Sequence, residues 1–290
     1  MTIAASAEPQ AAPPARGFRR FAKRNPTLLL GLTILSLVAL AALFAPLISG
    51  DALTMQPARR LREPSREFRF GTDHLGRDVF ARALHGARVS LGVGLAVATL
   101  SVTIGLAVGL AAGYFRRIEA VVMRVMDGLM AIPSILLAIA LVSLTRASVT
   151  TVIMAITIPE IPRVVRLVRA VVLSVREQPY VEAAIAGGAR ASKVIIRHIL
   201  PNTVAPLIVQ ATYICASAIL TEAALSFLGA GTPPEIPTWG NMIASSRLYL
   251  ARAPWTIFCP GIALALVVLA VNLVGDGLRD RLDPRLARRM

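Results

Sequence analysis

Long apolar runs alternate along the chain with short polar segments rich in arginine. Thr27 to Ser49, Val89 to Phe115, Ala120 to about Leu144, Ile199 to Thr221 and Ala253 to Gly275 each suffice for a membrane-spanning helix, which needs about 20 residues. A sixth run, Ala147 to Pro159, reaches that length only by adding Ile161, Pro162, Val164 and Val165, and then takes in Glu160 and Arg163. A re-entrant segment competes with a full crossing there. Lipid cannot satisfy backbone N–H and C=O groups, so spans this apolar are helices. The pattern predicts an all-α polytopic membrane protein with six transmembrane helices.

Composition agrees. The 290 residues are 56% hydrophobic and 16% charged, against about 25% charged in soluble domains. The net charge of +15 raises the question of nucleic acid. The basic residues flank apolar runs, as cytoplasmic anchors do, so no nucleic-acid partner is expected and a lipid bilayer is. Cys215 and Cys259 are isolated and give neither metal-site spacing nor a disulfide framework. His74, His85 and His198 are too scattered for a metal or an intramembrane catalytic site.

Taken in order, residues 1–26 read as a partly disordered, basic cytoplasmic tail and 27–49 as an uncleaved first helix. Residues 50–88 read as a mostly irregular external loop, 89–278 as a five-helix core and 279–290 as a second cytoplasmic tail. Both termini then lie inside. The arginines of the 50–88 loop fall outside, against the usual charge bias. Gly105, Gly109 and Gly113 form a small-residue face suited to close helix packing. Arg124 and Asp127 can share a helix face, Pro133 predicts a kink, and Asn272 reads as a buried amide at a helix contact. Trp239, Tyr249 and Trp255 read as interfacial anchors.

Glu177 to Asn202 is the polar stretch that stands out, because it separates two spans on the cytoplasmic side. Pro179 can open a short helix over Tyr180 to Ala186, and Gly187 and Gly188 can end it. A second short helix is predicted from Ser192 to Leu200, stopped at Pro201. Exposed alanines permit close approach by a partner, and Glu182 and the arginines can orient it. From these residues alone, a surface helix pair without a partner is an equal reading.

The stretch resembles the EAA loop of inner-membrane permease subunits of binding-protein-dependent ABC transporters, through Glu182, Ala183, Ala184, Gly188, Leu200 and Pro201. It resembles the dipeptide, oligopeptide and nickel branch through Gly71, Thr72, Asp73, Gly76, Arg77 and Asp78 before the second span. Arg197 to Asn202, Leu225 to Gly229, Trp239–Gly240 and Asn272 to Asp283 extend the likeness. The resemblance implies a type I importer permease fold in a bacterial inner membrane. It implies a second homologous permease subunit, two ATP-binding subunits and an extracytoplasmic solute-binding protein as partners. Tyr180, Glu182, Ala183, Ala184, Gly187, Gly188 and Arg190 would couple to the ATP-binding subunit. Short peptides are the implied cargo, with nickel or another small solute as the alternative.

Gly187 and Arg190 depart from the family pattern, which has a larger apolar and a small residue there. No Gly-x-x-x-x-Gly-Lys-Ser/Thr motif is present, so the chain is expected to bind no cofactor and not to hydrolyse ATP, leaving ATP and Mg to partner subunits. An ATP-independent secondary transporter, the reading from another class, calls for inverted repeats or mid-membrane ionisable groups, and neither stands out.

Overall fold

The computed structural model describes residues 25–282. Residues 1–24 of the first expected tail and 283–290 of the second lie outside the described residues, while 279–282 close the last helix. Ten helices position everything that follows: α1 (Pro26–Leu43), α2 (Ala45–Ile48), α3 (Val79–Tyr114), α4 (Arg116–Ala131), α5 (Ser134–Ser143), α6 (Val149–Arg176), α7 (Pro179–Ala186), α8 (Ala191–Phe227), α9 (Trp239–Ser246) and α10 (Trp255–Leu282). The protein is an all-α, multi-pass membrane protein. By length and apolarity, α1, α3, α8 and α10 can each cross a bilayer. The α4–α5 pair passes the same test jointly but is bent by 89°.

That bend sharpens the kink expected at Pro133. Ile132 and Pro133 are both extended, so the chain turns between two helices instead of bending within one. The fourth run forms one continuous helix, α6, with Pro159 and Pro162 inside it. The second span begins ten residues earlier than its hydropathy implied. Asp78 caps α3 by accepting the Phe80 N–H at 2.9 Å, and the helix runs through Arg82, His85 and Arg88 before the apolar run starts.

The packing centre is the α3–α6 seam. Gly105, Gly109 and Gly113 recur every fourth residue on α3 and face Val164, Val168 and Val172, spaced identically on α6. A Cβ built on Gly109 would lie 2.7 Å from Val168 Cβ, so the two backbones approach to a distance only glycine permits. The three valines are fully buried. A second apolar cluster joins α3, α8, α9 and α10 through Val79, Ile219, Trp239 and Val271.

Ion pairs complete the seam between α4 and α6. Arg169 bonds Glu119 and Arg166 bonds Asp127 at 2.5 Å across it, while within α6 Arg163 bonds Glu160 at 3.3 Å. Asp127 thus pairs across helices and not with Arg124. Arg176 donates to the Tyr114 carbonyl at 3.1 Å and lies over that ring. The basic exit of α6 is therefore largely satisfied within the chain.

Two further expectations are corrected. Asn272 is exposed, not buried. Trp239 is 1% exposed: its indole N–H donates to the Ala83 carbonyl at 3.0 Å, which locks α9 onto α3. Tyr249 stacks on His74, and the Trp255 indole donates to the Thr72 carbonyl at 3.3 Å, so both fasten the 50–78 loop.

Candidate functional site

Helix α7 begins where its sequence dictates. Pro179 occupies the first turn, where its fixed φ fits and its missing N–H leaves nothing unpaired. The helix ends in a Schellman motif. The Ala189 N–H donates to the Ala184 carbonyl and the Gly188 N–H to the Ile185 carbonyl, each at 3.0 Å. Gly188 has φ +78, a conformation that side chains disfavour. Gly187 has φ −74, and a Cβ there would meet nothing nearer than the Ala183 carbonyl oxygen at 3.3 Å. Only one glycine of the pair is required by geometry.

One side chain anchors the helix. Val181 is fully buried and joins the apolar cluster that contains Val172, Val175, Val194 and Ile199. Glu182, Ala183, Ala186, Gly187, Gly188 and Arg190 are exposed, Ala184 is half-buried, and Tyr180 and Ile185 are 49% and 44% exposed. The short helix thus offers a nearly flat surface of small residues with an acid, an aromatic ring and an aliphatic side chain. Tyr180 is oriented from α8. The Asn202 amide donates to the Tyr180 hydroxyl at 3.4 Å and to the His198 carbonyl at 2.7 Å.

The predicted second short helix does not stand apart. Ala191 to Phe227 is one rod, with a π-helical turn over Ile195–Ile199. That wider turn sits just before Pro201, whose ring would clash with the carbonyl four residues back in a regular α-helix. Pro201 is absorbed and ends nothing. A load on α7 consequently meets two long rods directly, α6 before it and α8 after it.

The second constellation, Gly71 to Asp78, lies at the opposite end of α3. Asp73 is buried and accepts from Leu75 N–H at 2.8 Å, Arg77 N–H at 2.9 Å and Arg77 Nε at 2.7 Å; Arg82 Nε lies 3.9 Å away. Thr72, fully buried, donates its hydroxyl to the Arg59 carbonyl at 2.5 Å and accepts the Arg62 N–H at 2.8 Å. A Cβ on Gly76 would fall 1.9 Å from the Gln56 carbonyl oxygen. These residues therefore build a strut and do not form an open binding surface. Burial holds the neighbouring His74 below its ordinary pKa and raises Asp78.

Glu222 follows an apolar run, and nothing in the sequence beside it singles it out. It is 1% exposed inside α8, and its Oε1 accepts from Ser226 and Thr238, each at 2.9 Å. Thr238 Oγ1 in turn accepts the Asn241 N–H at 3.1 Å, and the Asn241 amide donates to the Thr232 and Pro233 carbonyls. This web closes the 229–241 segment onto α8. The only advance sign was an acid amid hydroxyl and amide residues, split across three segments.

Comparisons with known proteins place the chain in a family. Residues 101–288 match the binding-protein-dependent transport system inner membrane component, and residues 14–64 match the N-terminal TM domain of oligopeptide transport permease C. The chain is 62% identical over 270 residues to a probable peptide ABC transporter permease protein, y4tQ, of Sinorhizobium fredii, covering 93% of each. It is 44% identical to the dipeptide transport system permease protein DppC of Alkalihalophilus pseudofirmus, covering 91% of this chain and 88% of that one. In fold it resembles an inward-facing structure of the MetNI methionine ABC transporter, with TM-score 0.57 and 19% identity over 70% of this chain and 96% of the other.

Proposed function

Because the chain belongs to the binding-protein-dependent transport system inner membrane components, we propose that it is the permease subunit of an ATP-driven importer of short peptides. It forms half of a translocation path, with a second permease subunit as the other half. Two ATP-binding subunits and an extracytoplasmic solute-binding protein complete the assembly. The peptide and dipeptide names of its relatives support that cargo. Hydrolysis of ATP belongs to the partner subunits, since this sequence has no phosphate-cradling glycine loop.

The observation that carries the reading is α7. It is exposed, rigidly capped, held by Val181 and continuous in load path with α6 and α8. Glu182, Ala183, Gly187, Gly188 and Arg190 meet a cleft on an ATP-binding subunit, and Tyr180 and Ala184 set the helix at its angle. Closure of the ATP-binding subunits pushes α7 and swings α6 and α8 between inward- and outward-facing arrangements. In this reading α1, α3, α4–α5 together, α6, α8 and α10 make six crossings of a bacterial inner membrane, with both termini in the cytoplasm and residues 50–78 outside. The four apolar helices and the bent pair supply five of these crossings, and α6, 28 residues long and carrying Glu160, Arg163, Arg166 and Arg169, is the sixth in this reading.

Cysteines introduced at Glu182 and Gly188 should crosslink to an ATP-binding subunit in the assembled transporter. Active complexes that yield no such crosslink would overturn the assignment.

A further inference from the structure

Glu222, 1% exposed in α8, has no ion-pair partner among the described residues. The charged and titratable side chains on the elements around it are engaged elsewhere. Glu160 of α6 pairs with Arg163, Arg82 of α3 lies beside Asp73, and Arg88 and Glu235 are exposed. His85 bonds the Gly50 carbonyl, and Arg247, after α9, reaches the Phe227 carbonyl at 3.5 Å. Cys215, two turns earlier, and Cys259 join the apolar cluster around Ile219. α9 carries no charged residue, and those of α10 lie from Asp276 onward. An ionised carboxylate sealed among such neighbours has no compensating charge.

The hydrogen bonds around this carboxyl group are lopsided. Oε1 accepts the Ser226 and Thr238 hydroxyls, each at 2.9 Å, and Thr232 Oγ1 lies 3.5 Å away. Oε2 is buried and receives no donor among the described residues. It lies against the main chain of α9. A Cβ built on Gly240 would fall 3.2 Å from Oε2 and 2.6 Å from Ala223 Cα, so the two helices touch here with no side chain between them. A carboxylate spreads its charge over both oxygens, and both accept. A carboxylic acid has one accepting carbonyl oxygen and one hydroxyl. The pattern at Glu222 is that of the acid. Thr238 is committed to it as a donor, since its own oxygen already accepts the Asn241 N–H at 3.1 Å.

We propose that Glu222 is held as a neutral carboxylic acid in this closed arrangement and serves as a proton-dependent latch that fixes residues 229–241 and α9 to α8. Ionisation sends the proton to solvent and places a charge where Oε2 has no donor. That charge is relieved by water entering between Gly240 and Ala223, which parts α9 from α8. The closed arrangement keeps the proton and the parted one releases it. Closure is therefore complete at low pH and is lost as pH rises. This sense is opposite to that of His74 in the 50–78 loop, so the two are separable. The latch joins the rod that follows α7 to the helix that Trp239 locks onto α3. Its state decides whether α8 carries α9 with it. The inference uses no part of the importer reading.

The test uses the full chain in its native assembly, held in lipid nanodiscs, with amide protection factors taken relative to the intrinsic exchange rate at each pH. In the wild type, protection across residues 229–241 should fall between pH 6 and pH 9, by up to about tenfold per pH unit for a single proton, while residues 164–172 of the α3–α6 seam stay constant. Glu222→Gln, neutral at every pH and of nearly the same shape, should keep the low-pH protection and remove the slope. A flat wild-type profile overturns the latch. So does a slope that survives in Glu222→Gln, which assigns the proton to another group. A Gln variant with an intact seam but no protection of 229–241 at any pH also overturns it, because a negative charge would then be holding the segment. A second measurement needs no variant. Infrared spectra of wild type carrying carbon-13-labelled glutamate should show a glutamic-acid carbonyl band at pH 6 that fades toward pH 9 in step with the protection. Absence of that band at the lower pH sinks the proposal.

Discussion

Gly109 has no room for any side chain, since the nearest atoms to its missing Cβ are Val168 Cβ at 2.7 Å and Val168 Cγ1 at 2.9 Å. Gly109→Leu should therefore force α3 from α6, costing about 1–3 kcal/mol or more as an overpacked core. A lowered melting temperature of the purified protein checks this. His74 offers a different kind of test. Burial depresses its pKa below the ordinary 6.5, so the neutral ring, stacked on Tyr249, belongs to the folded loop. The stability tied to it is full above about 6.5 and is lost as pH falls through the lower folded value. Asp78 works in the opposite sense, its raised pKa favouring the loop below the ordinary carboxylate range. Amide protection factors across residues 71–78, taken relative to the intrinsic exchange rate at each pH, should fall between pH 7.5 and pH 5, and His74→Phe should abolish that change. These residues also mark how far a sequence can be read. The glycine stripe is legible because its period is local and its meaning steric. The burial of Arg82 is not, because the partner that permits it, Asp73, sits in a loop whose path depends on Thr72 and Gly76.

At the level of elements, the two glycines after α7 separate cleanly. Gly188→Ala should cost about 1 kcal/mol, because φ +78 is strained for alanine, while Gly187→Ala should be close to neutral. Comparative amide-exchange rates at Ile185 to Ala189 would resolve the difference, and equal effects would contradict the cap geometry. Asp127→Asn removes a pair whose side chains are 59% and 44% exposed, so the stability loss should stay under about 1 kcal/mol in chemical or thermal unfolding. Helix limits were legible where punctuation is intrinsic, at Pro179 and Gly188. They were not where neighbours decide. Charged residues concealed the first turns of α3, and Pro201 signalled a stop that a π-helical turn removes. Trp239 carried the composition of an interfacial anchor, yet its N–H finds a carbonyl inside the protein.

For the whole molecule, orientation is the open variable with the simplest measurement. Single cysteines at Arg66 and Ala183, labelled in intact cells with a membrane-impermeant reagent, should react at Arg66 and be protected at Ala183 until the membrane is opened. The reverse pattern would invert the assignment of both functional ends. Four of the six expected crossings were readable as uninterrupted apolar helices, since lipid imposes a length on each; the third run breaks into a bent pair, and α6 is not apolar enough to stand out by the same measure. What the runs could not convey is which helices are bonded rigidly and which are hinged. That depends on the valines facing the glycines and on the 89° break between α4 and α5.

The interlocked glycine and valine rows have a mechanical consequence. They leave α3 and α6 little freedom to slide or splay, so the pair behaves as a single stiff beam. A helix of 28 residues such as α6 is about 42 Å long, and pivoting it by about 10° carries the far end about 7 Å. The beam joins α7 at one end and the Gly71 to Asp78 strut at the other. A displacement of a few ångströms at either tip is thereby felt at its opposite tip undiminished, without any chain of side-chain rearrangements in between.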